Sequence, residues 1–314
     1  MRLPGSELLF DAVKGGVLTL ALFLAYITFP VLGLAAGIIT PLPAMYYYFR
    51  RGAITGVLIF AITLSVLMVM GDASVPMLYL LQAGLTGIFL PFFYLQGKGT
   101  ARALVYSVGI NFLLIVILAL AYGFWSGADL QGILLKGINS STEQAVAIYS
   151  KQGLSPEDLE LFTQGIRQAG SLIAQIFPAL MLVALGTIAA LNMSVIFRLR
   201  AKRLPEIPEP EQFLSFKNPD MLVWVVIAAG FALLIPAADV SRAGLNVLVV
   251  CGFIYFLQGL AVVLAFFKRI SVPSLARIIF WLVLAFQPYL VLAIAILGLF
   301  DIWGNFRVPK QKNL

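Results

Sequence analysis

Seven amides lie inside otherwise apolar stretches of this chain: Gln82, Asn111, Gln175, Asn192, Asn246, Gln258 and Gln287. An amide offers donors and an acceptor but carries no charge, so such groups hold a neutral polar solute or hydrogen-bond a neighbouring helix; they do not relay protons. Acids and bases fall only where the apolar stretches end, at Asp72, Asp129, Asp239, Arg242 and Asp301. The chain has no histidine and one cysteine, Cys251, which removes the usual metal ligands and the imidazole acid-base group. It also lacks a GxxxxGK[ST] phosphate-binding loop. No catalytic residue, metal site or cofactor is expected, and the chain is read as non-enzymatic; the alternative is an enzyme processing a lipid or cell-wall precursor.

The last acid opens the stretch DIWGNFR. Here Asp301, Trp303, Phe306 and Arg307 are read as an interfacial anchor, with rings at headgroup depth and the arginine reaching water or phosphate.

These groups need elements to carry them. The chain has 314 residues, 61% hydrophobic and 11% charged, against about 25% charged in an ordinary soluble domain. Its mean hydropathy is +0.99. Uncharged runs fall near 15–29, 31–49, 52–71, 74–95, 103–125, 169–197, 221–238, 243–267 and 278–300. Each is close to the ~20 residues that cross ~30 Å of hydrocarbon as a helix. The fold expected is all-α: a polytopic transmembrane helical bundle of about nine spans. The alternative is eight spans, or a broken final helix turning at Gln287 and Pro288. Around Pro30 the first two runs form either a tight hairpin or one broken helix. The first run is read as a retained span and not a removed signal peptide.

Orientation follows from the basic residues, which stay on the cytoplasmic side of membrane proteins. With the N-terminus inside, 14 of the 21 Lys and Arg fall in cytoplasmic segments. The net charge of +7 is read as contact with anionic lipid in a bilayer and not with nucleic acid. The division expected is 1–198, six transmembrane helices with an outer loop at 126–168; 199–219, a cytoplasmic linker kept extended by Pro205, Pro208 and Pro210; and 220–314, three further helices and a tail. In the outer loop Ser155 and Pro156 predict a helix start, with Leu159, Phe162 and Ile166 at helical spacing, running on into the sixth span.

Two sets of residues stand out within the spans. Ala21 and Ala25, Gly33 and Gly37, and Gly52 and Gly56 each lie four apart, the spacing that lets helix backbones approach closely. Tyr79, Gln82, Tyr122 and Gln175 fall in the outer halves of spans four to six, where phenols and amides would line an outward-opening pocket for a small neutral or amphipathic ligand.

The tail LGLFDIWGNFR, the sixth-span exit ALNMSVIFRLRAKRLP and the segment FLSFKNPDMLVW resemble the YybS-like family of bacterial membrane proteins over essentially the whole chain. That family is distantly similar to the S components of energy-coupling-factor vitamin transporters. The resemblance implies an S-component fold for the first six spans and a multi-pass location in the bacterial cytoplasmic (inner) membrane. It also implies that Ala21 and Ala25 pack against an energy-coupling transmembrane subunit that works with ATPases. The function expected is small-molecule binding or transport. The alternative is a membrane scaffold or assembly protein acting through helix–helix contacts.

Overall fold

The computed structural model describes residues 4–29, 32–70, 74–150, 156–208, 213–304 and 306–307. Pro30, Asp72, Ser155 and Pro210 lie outside them. Among the described residues the chain is helical throughout, with no strand.

Two compact units emerge, one of Met1–Ala128 with Ala184–Pro210, the other of Asp129–Val183 with Glu211–Leu314. The sequence division at 198 groups 129–183 with the first six helices; packing groups these residues with the C-terminal helices instead.

In the first unit α1 (Pro4–Thr28) is followed by two short helices, α2 (Leu32–Ile39) and α3 (Leu42–Arg51). The uncharged run 31–49 is therefore not one helix. Pro41 and Pro43 lack N–H donors, so the ladder is interrupted at Thr40–Pro41. Of the two arrangements open at Pro30, the hairpin forms, because Gly33 and Gly37 sit against Ala25 and Tyr26 of α1. Together α2 and α3 retrace α1: Arg51 donates to Asp11 near the start of α1 at 2.7 Å and to Glu7 at 3.3 Å. The hydrogen bond to Asp11 raises the guanidinium pKa further, so this cation persists at any physiological pH.

Gly52, at φ 95°, turns the chain into α4 (Ala53–Val69), a conformation that glycine adopts without steric cost. Next come α5 (Ser74–Tyr79), a π-helical turn (Leu80–Gly84) and α6 (Leu85–Leu95), which together form one span, and then α7 (Thr100–Ser126). Gly127, in the left-handed region at φ 64°, ends α7.

The outer segment, read from sequence as a loop before Pro156, folds as α8 (Leu130–Ser150). Ile133, Leu134, Ile138, Ala145 and Ile148 supply its apolar spacing. The helix predicted from Pro156 does run on through the sixth span, as α9 (Pro156–Arg203).

The second unit also holds a 3₁₀ turn (Phe213–Ser215), α10 (Leu222–Leu233), α11 (Ala238–Arg269), α12 (Ser274–Phe286) and α13 (Pro288–Gly304). The axes of α12 and α13 differ by 106°. Gln287 is extended there, as a residue before proline prefers. Among the described residues five helices are long and apolar enough to cross a membrane, six counting the bent pair; α4 and α10 are apolar but shorter. This is a multi-pass membrane protein.

The core of the first unit is built from Met45, Phe49, Leu90, Tyr94, Ala103, Met193 and Ile196, sealed by Leu204 and Ile207. Those last two residues belong to the proline-rich segment, which is docked on the bundle. Tyr94 donates its hydroxyl to the Pro208 carbonyl at 3.0 Å and Arg200 its Nε to the Ile207 carbonyl at 2.7 Å.

Candidate functional site

The four residues expected to line a pocket meet different fates. Tyr79 is 1% exposed, with its ring edge-on to Phe23 at 5.4 Å and stacked on Phe60 at 6.1 Å. Side chains fill that place. Gln82 lies in the π turn that follows, and its Oε1 is buried without a hydrogen-bond partner. Tyr122 is 56% exposed in the last turns of α7. Gln175 belongs to the second unit, its side chain exposed.

What the first unit brings together is a seam of neutral polar groups. One turn beyond Gln82, Thr86 accepts a hydrogen bond from Asn111 of α7 at 3.1 Å, both residues buried. Asn111 Oδ1 has no donor, and neither does Ser107 one turn earlier on α7. Apart from this seam, Thr19 on α1 and Thr55 on α4 carry buried hydroxyls without partners. In apolar surroundings each such group costs about 1–3 kcal/mol relative to a bonded one. The π turn shifts the helix register by one residue, a feature concentrated at functional sites. It sets Gln82 and Thr86 on one helix while Gly84 leaves room for Phe60, whose ring would lie 2.7 Å from an added Cβ. No charged group joins the seam, so its chemistry is hydrogen bonding to a polar, uncharged partner.

Asn192 and Asn246 have structural work that hydropathy does not reveal, although Asn192 Oδ1 too is buried without a partner. Asn192 donates to the Ile38 carbonyl at the end of α2 and to Ile188, each at 2.7 Å. Asn246 braces α9 just past Pro178, which lies inside the helix: it accepts from Ala179 N at 3.0 Å and donates to the Gln175 carbonyl at 2.8 Å. Those two groups stand four residues apart on α9, beside the position where Pro178 has no N–H to donate.

The placement of Asp301 is a correction to the surface anchor read from sequence. Its carboxylate is 2% exposed, ion-paired with Arg307 at 2.8 Å and hydrogen-bonded by Gln258 at 3.1 Å. The cause lies elsewhere on the helices. Gly259 of α11 faces Gly298 of α13 backbone to backbone, and this close crossing draws Asp301 in against α11. Trp303 and Phe306 do stay exposed, at 63% and 45%.

The small-residue pairs divide as well. Gly33 and Gly37 are consumed by packing inside the chain, whereas Ala21 is exposed and Ala25 half-buried on α1. In the second unit an apolar groove of about 550 Å³ runs between α8 and α9, lined by Ile133, Ile138, Ala145, Ile166 and Ile173.

The profile of a family described as "Predicted membrane protein (DUF2232)" matches residues 17–302. The chain is also similar to a protein described as "Uncharacterized protein YybS" of Bacillus subtilis (strain 168), 23% identical over 308 residues, which is 94% of this chain and 97% of that protein. No solved structure matches significantly.

Proposed function

The chain belongs to the DUF2232 family of predicted membrane proteins, and on that premise we propose that it binds a small polar solute within its first unit and passes it across the membrane. The observation that carries this reading is the set of unpartnered acceptors along the π turn and α7: Gln82 Oε1, Asn111 Oδ1 and Ser107 Oγ. Groups retained in apolar surroundings at that cost are accounted for by a partner that comes and goes. Tyr122, exposed at the far end of α7, is the proposed first contact, and the ring of Tyr79 closes the site when it is empty. The proposal assigns no chemical step to the chain.

The S-component resemblance deepens this reading. Coupling to a transmembrane energy-coupling subunit would use α1 at Ala21 and Ala25, and the exposure of Ala21 is consistent with such a contact. The topology proposed has a cytoplasmic N-terminus in the bacterial inner membrane.

The test is native mass spectrometry of the purified chain for a co-purifying solute, followed by affinity for that solute in Gln82→Ala and Asn111→Ala. Each should lose roughly two- to tenfold, the worth of one neutral hydrogen bond. Unchanged affinity in both variants refutes the site. The scaffold reading has one observation of its own, the exposed apolar groove between α8 and α9; recovery of a stoichiometric partner that is lost on Ile138→Lys would favour it.

A further inference from the structure

The network around Asp301 has no part in the proposed solute seam. Gln258, its amide partner, lies in the uncharged stretch 243–267, ten residues before Lys268, or about 15 Å along the helix axis. A carboxylate buried in the protein is costly unless it is paired and hydrogen-bonded. Each of its oxygens is occupied. Phe306 N donates to Oδ1 at 3.1 Å, while Gln258 Nε2 and Arg307 donate to Oδ2. Arg307 also donates to the Leu214 carbonyl at 3.0 Å. Gln258 Oε1 in turn accepts from Asn218 N at 3.0 Å, which fixes the amide, and two oxygens, one of the Asp301 carboxylate and the Leu214 carbonyl, meet the guanidinium.

The cation itself is unusual in its attachment. Arg307 stands past the end of α13, beyond Gly304, and is not held by a helix. Its Nε is buried without an acceptor, and its side chain keeps 16% exposure, an open edge to the site. The carboxylate and the Leu214 carbonyl therefore form a cradle, in which the guanidinium is an incompletely fitted, tethered occupant.

We propose that the Asp301 cradle is a binding site for a small monovalent cation, which enters as Arg307 swings out. Charge balances in both states: the buried carboxylate always has one positive partner, tethered or dissolved. Exchange releases the Leu214 carbonyl, so occupancy is transmitted to the segment that leads into α10.

The experiment measures thermal unfolding of the full chain in detergent for wild type, Arg307→Ala and Arg307→Ala with Asp301→Asn. Guanidinium chloride at low millimolar concentration and sodium chloride are the probes, with choline chloride at equal ionic strength as the control. Arg307→Ala should melt below wild type in choline and regain roughly 3 °C or more once a probe reaches ten times its Kd. The double variant should not respond. A response to guanidinium alone identifies a planar organic cation as the ligand; a response to sodium identifies a simple ion. Equal melting of Arg307→Ala in all three salts overturns the proposal, as does an equal response from the double variant. Should Arg307→Ala not fold, trypsin cleavage after Arg307 of the wild-type chain replaces it. Cleavage severalfold faster with either probe than with choline supports exchange, and equal rates overturn it.

Discussion

Replacing Gly259 with alanine adds one methyl group where the structure has no room for it. The new Cβ would lie 2.8 Å from the Ile294 carbonyl carbon and 3.0 Å from Gly298 N, with the Ile294 oxygen closer still. Ordinary contact begins near 3.4 Å, and every obstructing atom is backbone, so no rotamer change relieves it. The α11 and α13 axes must part by about 1 Å, an overpacking cost of about 1–3 kcal/mol. Parting by that much also stretches the Gln258–Asp301 bond, now 3.1 Å, past bonding length, a further ~1.5–3 kcal/mol for a charge-assisted bond. Alanine returns about 1 kcal/mol of helix propensity. The net loss is then about 1.5–5 kcal/mol, an unfolding temperature lower by roughly 3–20 °C. Gly252 supplies the control on the same helix, since nothing lies within 4 Å of its added Cβ; Gly252→Ala should be neutral or slightly stabilising. Size-exclusion chromatography of heated detergent extracts reads both variants. If Gly259→Ala and Gly298→Ala melt with Gly252→Ala, the close crossing does not hold these helices and the burial of Asp301 has another cause.

Other outcomes can be checked in the same preparation. Asn246→Ala should cost about 1–3 kcal/mol by orphaning Ala179 N and the Gln175 carbonyl. That cost should shrink in a Pro178→Ala background, where the α9 ladder regains the N–H that proline lacks, and a double-mutant cycle with no coupling would contradict the bracing role. Asn192→Ala should lower stability by about 1–3 kcal/mol and speed amide exchange in α2, whose Ile38 carbonyl loses its donor; unchanged exchange there counts against it. Tyr94→Phe should cost about 1 kcal/mol and hasten proteolysis of the docked segment around Pro208, and equal proteolysis would mean that the hydroxyl does not hold it.

What a one-dimensional reading resolves here is how much of the chain belongs in lipid and where its helices break. Hydropathy is a local sum, so the uncharged runs, the helix begun at Pro156 and the turn at Gln287–Pro288 are legible from neighbouring residues alone. The interruption of 31–49 was present in Pro41 and Pro43 but hidden by a hydropathy that proline barely alters. Membership in a bacterial membrane protein family was also legible, in motifs at the sixth-span exit and the tail.

What each polar group is for was not legible, because its partner lies far along the chain. Asn192 meets Ile38 across 154 residues, Asn246 meets Ala179 across 67, and Gln258 meets Asp301 across 43. Read singly, Tyr79 and Gln82 are equivalent candidates for a pocket; packing spends one on the core and leaves the other with an open acceptor. Asp301 looks like a surface acid by its position at the end of an apolar run. Two glycines facing each other from separate helices decide otherwise, since only backbone-to-backbone contact brings α13 near enough for α11 to enclose a carboxylate.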